Sequence, residues 1–165
     1  MERPRRGIGR WVDAFSRLAS FWRRSPSEPM PNFERDYSHI RVELATPSMA
    51  EQIAAISRDE IEAGLGWQWT PQRVWESIRD RRCNVAVVRE HQRVLAFGIM
   101  RYEETTAHLV LLAVRPEFRR RGFASALIRW LEAVAREAEL RCIFVECRRN
   151  NDAARLLYLE CGFDE

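Results

Sequence analysis

Lysine is absent from this sequence: all 27 basic side chains are arginine. A GC-rich codon supply accounts for that bias without any demand for guanidinium chemistry. A long apolar run is also missing. The longest clean one, Leu109 to Val114, falls far short of the roughly 20 residues needed to span a bilayer. No small-residue cleavage site follows an N-terminal apolar stretch, so the expectation is a soluble, cytoplasmic protein. The four cysteines (83, 142, 147 and 161) contain no C-x-x-C pair, and the three histidines (39, 91 and 108) are scattered. That spacing argues against a metal centre and for reduced, structural thiols. Finally, the bulk of the chain lacks net charge. Residues 1–37 carry 8 arginines against 5 acids, whereas residues 38–165 carry 19 of each. A nucleic-acid binder shows positive charge over its folded domain, so no nucleic-acid partner is expected.

Turning to what is present, residues 1–37 have the character of an appendage. Ile8, Trp11, Phe15, Leu18 and Trp22 recur every three or four positions, and Arg3, Arg10, Arg17 and Arg24 every seven. The spacing predicts a basic amphipathic helix over residues 8–24, followed by a Pro/Ser-rich linker at Ser25 to Pro31. Such a helix suits peripheral contact with an anionic membrane or a partner protein; an over-extended gene start with Met30 as first residue fits equally well. From residue 38 the pattern becomes mixed. Ile40, Val42 and Leu44 alternate as in a strand, and a helix with Ile53, Ile56 and Ile61 follows from Ser48. A Gly/Trp-rich loop then reaches a second helix with Thr70 as N-cap and Pro71 at its first position. Strands are expected at Asn84 to Arg89, Val94 to Tyr102 and His108 to Val114, and a long helix from Gly122 to Ala138 with Arg129, Glu132 and Arg136 on its wet face. A strand at Cys142 to Cys147 and a helix at Asp152 to Leu159 lead to Gly162 as the stop. The order β-α-α-β-β-β-α-β-α predicts an α/β (α+β) three-layer domain, with helices on both faces of a mixed sheet.

The densest chemistry lies at residues 115–127, RPEFRRRGFASAL, where an apolar strand runs through Pro116 directly into a helix. The first N–H groups of a helix lack intrahelical partners and carry the positive end of its dipole, so the junction suits a phosphate. Gly122 permits close backbone approach and Ala124 leaves room. The same spacing also fits a solvated basic turn.

The pattern V-x-P-x-x-R-R-x-G-x-A (Val114, Pro116, Arg119, Arg120, Gly122, Ala124) resembles the acetyl-CoA motif of the GNAT acetyltransferase superfamily. Downstream, Asn151, Ala154, Leu157, Tyr158, Gly162 and Phe163 follow that family's N-x-x-A-x-x-L-Y-x-x-x-G-F pattern. The resemblance covers roughly residues 38–165 and is nearest to the ribosomal-protein-alanine N-acetyltransferase branch. It implies acetyl-CoA as co-substrate, held by Leu112, Val114, Arg119, Arg120, Arg121, Gly122, Phe123, Ala124, Ser125, Asn151 and Tyr158. It further implies Glu146 as general base and Tyr158 as general acid in acetyl transfer to an amine. The acceptor implied is a peptide or protein N-terminal α-amine, with a small-molecule amine or a non-catalytic acetyl-CoA-binding role as alternatives. Trp67 and Trp69 lie in the loop where this family often builds its acceptor site, while Glu103, Glu104 and His108 are rival bases near the central strands. The family pattern continues with further strand after Gly-Phe, whereas these residues end at Glu165. The resemblance therefore implies a C-terminally truncated domain and an open sheet edge beside the site.

Overall fold

A computed structural model describes residues 19–31 and 36–165. Its centre is a six-stranded mixed sheet in the order β1-β6-β5-β4-β3-β2. The strands are β1 (Ala19–Arg24), β2 (Glu43–Leu44), β3 (Cys83–Glu90), β4 (Arg93–Tyr102), β5 (Thr106–Val114) and β6 (Cys142–Arg148). The helices are α1 (Ala50–Glu60), α2 (Pro71–Arg79), α3 (Phe123–Glu137) and α4 (Asp152–Glu160). Only β5 and β6 run parallel; every other pairing is antiparallel. Two apolar layers follow from strand alternation. Ile53, Ile56, Val74, Phe97 and Ile99 join α1 and α2 to one face, while Leu127, Leu131, Ile143, Val145 and Tyr158 join α3 and α4 to the other.

The expected elements from α1 onward appear within a few residues of their forecast bounds. Thr70 accepts a hydrogen bond from the Arg73 N–H, as its N-cap role requires, and Gly162 takes the left-handed conformation after α4. The strand expected at Ile40 to Leu44 shrinks to Glu43–Leu44.

The largest correction concerns the N-terminal segment. Residues 8–18 of the expected helix lie outside the described residues, but Ala19–Arg24 is a strand, paired antiparallel with β6 from Ala19↔Arg148 to Arg24↔Ile143. The outer edge of β6 is thus covered rather than open. Asp164 bridges in turn to Arg23 on the far side of β1. Trp22, 2% exposed, reaches into the α3/α4 layer beside Tyr158. Arg24 is buried too. Its Nε donates to Glu132 Oε1 at 2.9 Å, and its Nη atoms donate to the carbonyls of Gly162 and Glu28 at 3.1 and 2.9 Å. Glu132 is therefore 1% exposed and belongs to the core side of α3, not to its wet face.

Candidate functional site

The parallel pairing of β5 and β6 extends only from Thr106↔Cys142 to Leu109↔Val145. Beyond it the two strands part. The cause is visible on β5, where the register with β4 passes from Met100↔Leu109 to Ile99↔Leu111, leaving Val110 as an extra, bulged residue. The bulge reverses which side chains face which layer. Leu109 packs with α3 and α4, whereas Leu111 packs with α1 and α2. Among the described residues the β6-facing main-chain groups of β5 from Val110 onward have no strand partner, so N–H donors are left along one wall of the fork. A cavity of about 570 Å³ fills the fork, with walls that include Leu112, Glu146, Asn151, Tyr158, Trp69 and His108.

Glu146 follows the last residue of β6 that pairs with β5 and projects from the face opposite Val145 and Cys147, which are in the α3/α4 core. Its side chain is 17% exposed, and burial raises its pKa above the ordinary glutamate value. His108 Nε2 lies 3.3 Å from Glu146 Oε1, and burial lowers the imidazole's pKa. Tyr158, 5% exposed, is fixed between the rings of Trp22 and Phe163, with centroids at 6.2 and 5.8 Å. Desolvation pushes its phenol well above the usual tyrosine range, so it stays protonated throughout the physiological span. Asn151 Oδ1 accepts from the Ala154 N–H at 3.0 Å, capping α4 at the cavity wall.

The β5–α3 junction has the expected form. Gly122 is the N-cap of α3 at φ +85°, Arg120 is left-handed at φ +63°, and no side chain caps the helix. The leading N–H groups, from Phe123 through Ser125, are therefore available to an anion. A Cβ on residue 122 would overlap the ring of Tyr37, so both conformation and space demand glycine. The arginines divide their work. Arg119 stays exposed, pairing with Glu60 and donating to the Val114 carbonyl, while Arg121 lies over the Phe118 ring.

A model of the acetyltransferase (GNAT) family matches residues 50–163. The chain belongs to that family. A search of the curated proteins finds no match. Solved structures of this GNAT fold include a putative acetyltransferase from Novosphingobium aromaticivorans, 21% identical with a TM-score of 0.65; the match covers 89% of this chain and 59% of that one. The ribosomal-protein-alanine N-acetyltransferase of Brucella melitensis biovar Abortus is 18% identical, with a TM-score of 0.60 and coverage of 73% and 90%. PaiA N-acetyltransferase from Thermoplasma acidophilum, solved with coenzyme A, is 12% identical, with a TM-score of 0.66 and coverage of 73% and 87%. This chain thus spans 59% of the Novosphingobium protein's length.

Further features of this GNAT domain escape inspection of its motifs. Glu62 is buried and accepts from Ser57 Oγ (3.0 Å), Gln68 N (2.6 Å) and Trp69 N (3.2 Å), so one carboxylate ties down the loop between α1 and α2. That loop places Trp69 in the cavity wall beneath the Arg73 guanidinium, 4.0 Å from the ring centroid. Trp67 is exposed beneath Arg58 and is not part of the wall. Glu103 and Glu104 also lie off the wall, whereas His108 is part of it. Ala19 of β1 lines the cavity as well, a contribution that no local signal foretells. Among the described residues no cluster of His, Cys, Asp or Glu can hold a metal, and no helix is long and apolar enough to cross a membrane.

Proposed function

We propose that this chain transfers an acetyl group from acetyl-CoA to an amine, most specifically the α-amine of a peptide or protein N-terminus. The observation that carries the proposal is the forked β5/β6 cavity, whose wall includes both Glu146 and Tyr158, in a chain where β5 leads directly into the glycine-capped start of α3. Bound acetyl-CoA supplies an acyl group already activated as a thioester. The α3 N–H groups and Gly122 would receive its pyrophosphate, and the unpaired β5 edge with Asn151 would flank the pantetheine arm. Leu112 and Val114 fall on that edge. The arginines at 120 and 121 would add long-range attraction for the phosphates.

The residues divide the proton work. An α-amine has a pKa near 8 and is mostly protonated at neutral pH, yet only its neutral form is nucleophilic. Glu146, a carboxylate in a half-enclosed cavity, takes the proton. Main-chain N–H groups past the Val110 bulge donate to the carbonyl oxygen as it gains negative charge. Tyr158 then gives its phenolic proton to the departing sulfur and recovers one from the acylated nitrogen, so the net release is one proton to solvent. Trp69, held by the Glu62-fixed loop, stands on the side of the cavity from which the acceptor enters.

Incubating the full chain with acetyl-CoA and a peptide bearing a free N-terminal alanine, with thiol release as the signal, tests this directly. Release of CoA with acetylation of the α-amine supports the proposal. Turnover with compact free amines but not with peptides assigns the site to a small-molecule acceptor instead. Tight acetyl-CoA binding with no turnover on either class refutes the catalytic proposal.

A further inference from the structure

We propose that His108 and Glu146 form one proton-accepting unit, in which the imidazole takes part in the removal of the acceptor's proton and does not merely neighbour the base. This inference rests on the amine acetyltransferase function proposed above.

The geometry begins with the sheet. His108 is at the third position of β5 and Glu146 at the fifth of β6, both on the face away from α3 and α4. Because β5 and β6 run parallel there, His108 is in register with Phe144 and so lies diagonally beside Glu146. The two strands part immediately beyond, so the pair stands at the apex of the fork, where both side chains enter the cavity wall. His108 Nε2 and Glu146 Oε1 are 3.3 Å apart, within ion-pair distance.

Other charged or titratable groups share the cavity: Arg101, directly across from His108 on β4; Glu60 of α1, paired with Arg119; Arg73 and Glu76 of α2 and Asp80 just past its end; Cys83 of β3; and Cys147 and Arg148 of β6. Arg148 is on the same strand face as Glu146 but donates to the carbonyls of Ile61 and Ala63. Arg101 lies 3.6 Å from Glu103, Asp80 lies 3.5 Å from Arg82, Glu76 accepts from Gln72, and Arg73 stacks on Trp69. Glu146 is the acid within ion-pair distance of His108 among the described residues.

Charge accounting explains why a pair serves better than either member. Alone, Glu146 would leave a bare anion in a partly dry cavity, and an isolated imidazolium there would be a bare cation; desolvation opposes both. Together they hold one negative charge before proton uptake and none after it. The proton from R–NH3+ moves to the pair, the freed nitrogen lone pair forms the C–N bond as the C–S bond breaks, and Tyr158 protonates the sulfur and regains a proton from the acylated nitrogen. The pair then releases its proton to solvent through the exposed part of His108, whose side chain is 30% accessible. Such coupled groups titrate as a unit.

The test uses His108→Gln and Glu146→Gln in the full chain, with two readouts. In the first, kcat/KM for the peptide acceptor is followed from pH 6 to 9.5. His108→Gln is expected to lower it about a hundredfold near neutrality, with the deficit shrinking above pH ~8, where the amine is already neutral. A loss that is uniform across pH means a structural role and overturns the proposal, as does no loss. The second readout needs no turnover: the His108 imidazole C–H resonance, assigned by its disappearance in His108→Gln, is titrated in parent and Glu146→Gln. Removing the carboxylate should lower the histidine's apparent pKa by about one unit, and an unmoved titration refutes the pairing. If the parent acetylates no amine at all, the functional proposal fails, while this titration still decides whether the pair exists.

Discussion

Replacing Arg24 with methionine is the most incisive test of whether the N-terminal strand belongs to the domain. The change keeps most of the side chain's apolar stem and removes the guanidinium that donates to Glu132, Gly162 and Glu28. Arg24 and Glu132 have side chains 2% and 1% exposed, so the abandoned carboxylate cannot turn to water. Arg136, at 3.7 Å, is a more distant partner. Breaking a buried pair by removing one member costs about 3–5 kcal/mol. For a domain of this size each kcal/mol moves the melting point by about 2–4 °C, so a fall of roughly 6–20 °C is expected. Urea titration followed by circular dichroism should place the same loss in the midpoint, with little change in slope. Two controls sharpen the expectation. At pH 5 the stranded Glu132 takes up a proton more readily, so the deficit should be smaller than at pH 7.5. Adding Glu132→Leu removes the orphaned charge and should restore part of the loss, less the contribution of the two carbonyls that Arg24 no longer satisfies. A single variant within about 0.5 kcal/mol of the parent, the range of ordinary surface changes, would refute the structural role assigned to this strand.

Other outcomes follow from the same geometry. Tyr158→Phe should lower kcat by about a hundredfold or more while leaving the acetyl-CoA dissociation constant within a few fold, measured by steady-state kinetics and calorimetry; equal loss of binding would make the ring a packing element only. Gly122→Val should nearly abolish acetyl-CoA binding, because it both strains a φ of +85° and collides with Tyr37, whereas Arg121→Ala should weaken binding only several-fold. Glu62→Ala should free the α1–α2 loop and raise the acceptor KM about tenfold or more with acetyl-CoA affinity preserved, since it leaves buried donors on Ser57 and Trp69, and the part-buried N–H of Gln68, without this acceptor. Burial raises the Glu132 pKa above 4.5, against the opposing pull of Arg24. The folded state therefore binds more protons than the unfolded one in the window just above that value, and stability falls as pH climbs through it. Glu132→Gln has no such dependence, so the parent's stability relative to this variant should decline with rising pH; the opposite slope in paired urea titrations would show that Arg24 outweighs burial.

Much of this site could be anticipated because its signals are local. A strand end followed by a proline turn, a left-handed glycine and a helix start lie within a dozen residues, and Asn151 and Tyr158 share one short helix with its cap. What escaped notice depends on partners distant in sequence. The spacing of Phe15, Leu18 and Trp22 satisfies a helical period, and nothing nearby shows that Ala19–Arg24 would find β6. Glu132 has the sequence context of a solvated helix face, and only Arg24, 108 residues away, turns it inward. His108 and Glu146 meet through a parallel register that composition and spacing do not encode. Glu62 looks like one more acid at the end of a helix until Trp69 folds back over it.

The placement of β1 also bears on the order in which the molecule comes together. Of the six strands β1 leaves the ribosome before the others and its partner β6 after them, and the Arg24–Glu132 contact closes a loop of 108 residues. Such distant pairings form late because chain entropy must be lost before they contribute any stability. A nascent chain therefore carries Trp22 and its neighbours unsheltered while β3, β4 and β5 assemble by local hairpins. Until β1 docks, β6 offers an unpaired edge to any other chain. A chaperone that holds β1, or slow translation before β6, should influence the yield of native protein more than its final stability.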